Sequence, residues 1–447
     1  MSHPTLQELR QKDRSYHIHP FTNHADMNRE GTRWIKSGDG CWLVDGEGRR
    51  LLDGLAGLWC VNVGYNCGEI VEAVRRQMEE LPYYPSFFNS TTEPPVMLAE
   101  WLAKRAPARL NKVVYSNSGS ESNETALKII RAYWKLRGKS QKRKVLSRNF
   151  AYHGVTLAAT SLTGLPNCTD PFDLPLEDFV KIPAPYSWHD NAVPTEAYGA
   201  EVVAKTAEVI DREGADTIAA MFVEPIQGAG GVIVPPPGYL KALRELCRER
   251  EILFVADEVI TAFGRLGVWF ASEREELDPD LLNIAKGLTS GYLPLGGTMV
   301  SDEIAEVILP AGYFAHGFTY TGHPVCTAAA LANLHVIEER GLVERVRDDV
   351  GPYFQQKLLE LAAHPAVGEV RGDNLIGAAE LVPAGGRDAL KPGMALGIKA
   401  SDIIREEGSI VRGIRDLIAL APPLIITRAE IDELFYSVRR GLDRLWN

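Results

Sequence analysis

Lys286 closes the apolar run 281–285 and opens a glycine-rich stretch that ends at Gly297. An amine at the end of a buried run is desolvated, which lowers its pKa and makes it a nucleophile; a lysine that snorkels to the surface is the ordinary alternative. Asp257 stands in the same place after the run 252–256. A carboxylate there needs a cation, either an arginine or a protonated ring nitrogen. Glu224 follows the run 219–223 and reads as a partner behind the site or as a plain strand-end carboxylate. The glycines after it lack the G-x-G-x-x-G order of a dinucleotide loop and suit a pocket wall. Ser118, Gly119 and Ser120 lie in the small-residue stretch 117–124, after the run 112–116. Such a loop opening a helix offers free N–H groups to a phosphate, or simply caps the helix. Tyr152, His153 and Gly154 follow the run 144–147, and an aromatic there could stack on a planar ring.

Each of these residues follows a short apolar run, so the runs must position them. Between about 112 and 301 the runs 112–116, 144–147, 219–224, 252–256, 281–285 and 297–301 alternate with amphipathic stretches, of which 200–212 and 238–250 read as crossover helices. Continuous apolarity predicts strands buried on both faces, hence an α/β architecture with a mostly parallel sheet. Such sheets bind ligands beyond the carboxyl ends of their strands. The five strand ends therefore converge: a phosphate cradle, a ring cover, a carboxylate for a ring nitrogen and an amine for an aldehyde. That set matches pyridoxal 5'-phosphate (PLP), whose ring is an electron sink.

Around this core the pattern differs. Residues 41–45 and 49–53 flank a Gly-Glu-Gly turn and read as a hairpin, and 68–80 and 94–106 have helical spacing. After 326 come a helix over 327–339 that stops at Gly341, short elements at 366–371 and 410–412, and a last helix over 428–445 capped by Thr427. The expected division is an N-terminal segment 1–65, a large PLP-binding domain 66–326 and a smaller α+β C-terminal domain 327–447, consistent with a chain of 447 residues exceeding one compact core.

A net charge of -11 argues against nucleic-acid and anionic-membrane partners, both polyanions. Six cysteines, none in C-x-x-C spacing, fit no zinc pattern and read as reduced core thiols of a cytoplasmic protein, with no metal called for. The polar first residues show no signal-peptide core, and no run of about 18 apolar residues is present.

The segments Asn117-Ser118-Gly119-Ser120-Glu121, Tyr152-His153-Gly154, Glu224-Pro225-Ile226-Gln227-Gly228, Ala256-Asp257-Glu258-Val259, Ala285-Lys286-Gly287 and the stretch 317–324 resemble class III (omega-type) aminotransferases, in that family's order and spacing. Through 57–64 and Tyr83-Tyr84 the chain is most similar to the amine:pyruvate branch. The resemblance implies PLP fold type I and a homodimer, or a tetramer built from it, with active sites at the interface. It implies Lys286 as the Schiff-base lysine and proton shuttle, Asp257 on the ring nitrogen, and Tyr152 and Val259 on the two ring faces. Ser118, Gly119 and Ser120 would bind phosphate, helped by Phe318 and Thr319 of the other subunit, with His153 and Glu224 also against the cofactor. Phe21, Trp59, Phe87 and Ala229 would line the substrate pocket. Arg412 would pair with the acceptor carboxylate, a role that Arg415 contests. The implied activity is a ping-pong transfer from an amine or omega-amino donor to a 2-oxo acid, with pyruvate expected. The competing readings are a diamine, polyamine, beta-alanine, taurine or 4-aminobutyrate donor, a decarboxylase or aminomutase on the same scaffold, a PLP-binding regulator, and a nicotinamide oxidoreductase. A donor differing by one methylene changes specificity by only about 1–3 kcal/mol.

Overall fold

The computed structural model describes residues 4–107 and 109–446. Three sheets organise the chain. The first begins with β1 (Ile35–Asp39), β2 (Trp42–Asp45) and β3 (Arg50–Asp53), antiparallel neighbours of which β2 and β3 are the expected hairpin. Asp45 fixes its turn by accepting from Glu47 N at 3.0 Å and Arg49 N at 2.9 Å.

The second sheet carries the chemistry. Its strands are β4 (Leu110–Ser116), β5 (Lys144–Arg148), β6 (Phe179–Ile182), β7 (Ile218–Val223), β8 (Leu253–Asp257), β9 (Leu281–Ile284) and β10 (Gly296–Ser301). They lie in the order β4-β10-β9-β8-β7-β5-β6. The pairs β5/β6, β5/β7, β7/β8 and β8/β9 are parallel, as the continuous apolar runs predict. β10 runs against both β9 and β4, which the pattern did not distinguish. It is buried at every residue like its parallel neighbours, so it presents the same apolar run. β6 gives no such run, because Lys181 interrupts it at the sheet edge.

Alternation along β7 and β8 explains the burial. Phe222 and Val255 point to one face, against Ala126, Ile130 and Trp134 of the helix Gly119–Leu136. Met221 and Phe254 point to the other, against Val202 and Leu243 of the helices Glu196–Glu213 and Tyr239–Glu249. Each such side chain contributes about 1.5–3 kcal/mol when removed from water.

The third sheet contains β11 (Val367–Asp373) and β12 (Ile376–Leu381); β13 (Ser409–Ile410) then leaves to pair parallel with β3, before β14 (Arg412–Ile414) and β15 (Leu417–Leu420) complete the third sheet. The expected element at 410–412 is thus two strands serving two sheets. The helix expected from residue 327 starts earlier, as Pro324–Glu339, because Pro324 occupies its first turn and His323 Nδ1 accepts from Val325 N. The last helix, Arg428–Trp446, opens on a capping box. Glu430 N donates to Thr427 Oγ1 at 3.2 Å, and Thr427 N donates to Glu430 Oε2 at 2.8 Å. Among the described residues no helix is long and apolar enough to cross a membrane. All six cysteines are free thiols.

Candidate active site

A cleft enclosing about 580 Å³ of empty space, including its open mouth, lies beyond the carboxyl ends of β5, β7, β8 and β9. Gly119, Ser120, Asn123, Tyr152, His153, Gly154, Glu224, Asp257, Val259, Ile260 and Lys286 line it. Five separate chain segments meet there, from the first turn of Gly119–Leu136 to Lys286, two residues beyond β9.

Lys286 sits in a single turn, Lys286–Leu288, with φ at +43°, a left-handed conformation that costs a non-glycine residue energy. Among the described residues no hydrogen bond or ion pair holds its amine. Burial pushes the amine below the ordinary lysine range, against the opposing charges of Asp257 and Glu224. An amine without a partner, pushed by burial toward its neutral form, suits attack on an aldehyde or transfer of a proton.

Asp257 ends β8 and is 4 % exposed. Burial works against its charge, but hydrogen bonds reverse the balance and hold it below the usual aspartate range. His153 Nδ1 lies 2.7 Å from Oδ2, Asn123 Nδ2 donates to the same oxygen at 3.0 Å, and Val259 N donates to Oδ1 at 3.2 Å. Glu224 is buried too, and burial raises its pKa. Its oxygens accept from Tyr152 N at 3.0 Å and Gly228 N at 3.2 Å, so it ties the Tyr152 loop to the glycine-rich wall.

At the other end of the cleft, Gly119 and Ser120 belong to the first helical turn, whose amides have no partner within the helix. Ser118 lies just outside the lining and caps the helix, accepting from Glu121 N at 3.2 Å. Ser120 Oγ accepts from Val155 N at 3.1 Å. A Cβ on Gly119 would stand 3.0 Å from Val259, so only glycine brings the helix this close to the cleft wall. An unpaired amine, an ionised buried acid, an aromatic on an anchored loop and free first-turn amides are the donor set that PLP requires, and they fit it.

The rim residues are dispersed. Trp59 is buried with the Arg412 guanidinium 4.8 Å from its ring centre. Arg412 has no hydrogen bond or ion pair among the described residues, and its charge opposes that of Lys286. Arg415 instead donates to Gly230 O at 2.7 Å and covers Phe150 at 5.6 Å. Ala229 is buried in the glycine-rich wall. Phe87 packs edge-on against Phe88, and Phe21 is 73 % exposed. Phe318 and Thr319 do not line their own chain's cleft: Phe318 N donates to Thr321 Oγ1, and Thr319 O accepts from Tyr83 Oη at 2.7 Å. Asn123 and Ile260 were not singled out in the sequence. Asn123 carried a usable signal, as a polar residue on the buried face of an amphipathic helix.

Sheet and cleft together define a PLP enzyme of fold type I. The chain belongs to the class-III aminotransferases, whose family pattern matches residues 25–442. It is 42 % identical over 432 residues to the putrescine–pyruvate aminotransferase of Pseudomonas aeruginosa, covering 96 % of this chain and 95 % of that one. It is 39 % identical over 455 residues to the diaminobutyrate–2-oxoglutarate transaminase of Halomonas elongata, covering 99 % and 97 %. The crystal structure of a thermostable (S)-enantioselective omega-transaminase from Thermomicrobium roseum superposes with a TM-score of 0.96 at 43 % identity, over 100 % of both chains. The protein is therefore a PLP-dependent aminotransferase, exchanging an amino group between amine and oxo-acid substrates.

Proposed function

We propose that the enzyme moves an amino group from an omega-amine or diamine to pyruvate, with Lys286 as its working amine. The observation that carries this is the Lys286 amine, left without a partner in a cleft that also holds two buried carboxylates. When bound, PLP supplies the electron sink for the carbon that loses its proton. Lys286 Nζ holds the cofactor between turnovers, takes that proton and returns it, a contribution of about 10²–10⁴-fold. Asp257 keeps positive charge on the ring nitrogen. Tyr152 and Val259 cover the ring faces, and His153 and Glu224 anchor the acid and the loop. Ser118, Gly119 and Ser120 receive the phosphate, completed by Phe318 and Thr319 of a second copy in a homodimer. Phe21, Trp59, Phe87 and Ala229 shape the amine pocket, and Arg412 pairs with the acceptor's carboxylate. In this reading 66–326 holds the cofactor, while 327–447 and 1–65 bring Arg412 and Trp59 over it.

The two named relatives support a diamine-type donor and divide on the acceptor, pyruvate for one and 2-oxoglutarate for the other. A half-reaction screen tests the proposal. Holoenzyme is mixed with putrescine, 4-aminobutyrate, beta-alanine, taurine or an arylalkylamine, and loss of the lysine-bound cofactor absorbance is followed. Putrescine should bleach it and pyruvate restore it. No bleaching by any amine, or release of carbon dioxide, would overturn the reading; recovery with 2-oxoglutarate alone would replace the acceptor.

A further inference from the structure

We infer that Asn283 and Thr298 are positioning residues of the reaction, acting through Asn123 to present Asp257 to the cofactor as an ionised acceptor. This rests on the role proposed for Asp257.

Hydrogen-bond direction sets the orientation of every member of this chain. Asn123 Nδ2 lies 2.8 Å from His153 O, 3.1 Å from Gly119 O and 3.0 Å from Asp257 Oδ2. Backbone carbonyls only accept, so the amide nitrogen must face this way, whatever the charge on Asp257. Asn123 Oδ1 therefore turns toward β9, where Asn283 Nδ2 donates to it at 2.9 Å. That turns Asn283 Oδ1 toward β10, where it accepts from Thr298 Oγ1 at 2.8 Å. The same hydroxyl lies 2.8 Å from Ser122 O, so its one hydrogen is shared between two acceptors, neither of which can donate back to it. Reversing either amide would set two acceptors face to face in a buried site. Exposures of 1 % for Asn123, 0 % for Asn283 and 0 % for Thr298 leave no bulk water to repair that.

Two strands and a helix thus feed one direction of polarity into Asp257 Oδ2, which also meets His153 Nδ1 at 2.7 Å, while Oδ1 keeps a single backbone donor. Neutral donors of fixed orientation replace the water that an exposed carboxylate would use. A polar residue in the middle of a fully buried strand otherwise has no reason to be there.

The test uses holoenzyme loaded with PLP carrying 15N in the ring, and Thr298→Val, Thr298→Ser and Asn283→Asp variants. In the wild type the ring nitrogen should resonate as protonated at neutral pH. Thr298→Val and Asn283→Asp should move the resonance toward the unprotonated position and lower kcat about tenfold, the factor one unsatisfied buried polar group carries, with KM for the amine nearly unchanged. Thr298→Ser, which keeps the hydroxyl, should restore both. If Asn283→Asp does not fold, the near-isosteric Thr298→Val decides alone. A folded Thr298→Val variant with the wild-type resonance overturns the relay and leaves the active-site reading intact. A wild type that forms no lysine-bound cofactor overturns the active-site reading, and the relay with it.

Discussion

The two edges of the seven-stranded sheet treat charge in opposite ways. At the amino-terminal edge the buried charges among the described residues, Lys142 and Asp280, are closed within the chain. Lys142, just before β5, donates to the carbonyls of Ala215, Ile218 and Glu251 at 3.0, 3.0 and 2.8 Å and lies 4.7 Å from the Trp134 ring centre. Asp280, just before β9, accepts from Phe254 N at 2.7 Å and from Arg244 at 3.2 and 3.3 Å, with Arg109 also at 3.2 Å. At the carboxyl-terminal edge Lys286 has no partner among the described residues, and Asp257 is held by donors of which only His153 can carry charge. Both edges bury charge on the same scaffold. What differs is whether the partner is built in, and the edge that leaves charges open is the edge that does chemistry.

Exchanging residues across this contrast should separate activity from stability. Lys286→Ala should lower kcat by about 10²–10⁴-fold, while the melting temperature of the apoprotein holds or rises, because an unpaired buried amine is lost. Steady-state rates and thermal melts check this; a lower melting temperature would mean that Lys286 is structural after all. Asp280→Asn should do the reverse. It leaves Arg244 buried without its carboxylate, so unfolding free energy should fall by about 3–5 kcal/mol, while the fraction still folded keeps the wild-type cofactor spectrum. Urea unfolding followed by circular dichroism measures the first part and absorbance the second. Equal loss of both signals at low urea would contradict the division between the edges.

A smaller effect is expected at the rim. Arg412 has no hydrogen bond or ion pair among the described residues, whereas Arg415 is tied to Gly230 O and Phe150. Arg412→Ala should therefore raise KM for the 2-oxo acid about tenfold and leave KM for an apolar amine close to wild type, as loss of one charge-assisted contact implies. If Arg415→Ala gives that pattern instead, the acceptor arginine has been misassigned.

How much of this was legible in the sequence follows from the same contrast. Lys286, Asp257 and Glu224 stood out because each interrupts apolarity where a strand ends. Asn283 and Thr298 did not, because a single polar residue inside an apolar run reads as noise until its partners on other elements are known. The antiparallel course of β10 was hidden for a related reason: burial on both faces erases the alternation that would mark strand surroundings. Side chains supplied by loops far away in sequence, such as Phe21 and Phe318, leave no periodic signal at all, and only the family resemblance pointed to them.

Lys181 offers the finest test, because it lies between the two cases. Its amine donates to Ser147 Oγ at 2.8 Å and Ser161 O at 2.7 Å, yet no carboxylate among the described residues faces it. Burial pushes its pKa down to about 7. In the unfolded chain a lysine stays protonated to about pH 10.4. Between those values the unfolded state binds a proton that the folded state has released, so Lys181 makes stability rise with pH across this window. Below pH 7 both states are protonated and the cost of burying the charge is complete. Lys181→Met should therefore gain stability over wild type near pH 6 and lose part of that advantage by pH 9. The difference between the two pH values should be about 1–2 kcal/mol, reduced from the full linkage value because the side chain is partly exposed. Urea midpoints of both proteins at pH 6, 7.5 and 9 measure it. A wild-type-minus-variant difference that stays constant over that range would show that hydrogen bonds to a hydroxyl and a carbonyl are enough to settle a buried amine, and that the missing carboxylate costs Lys181 nothing.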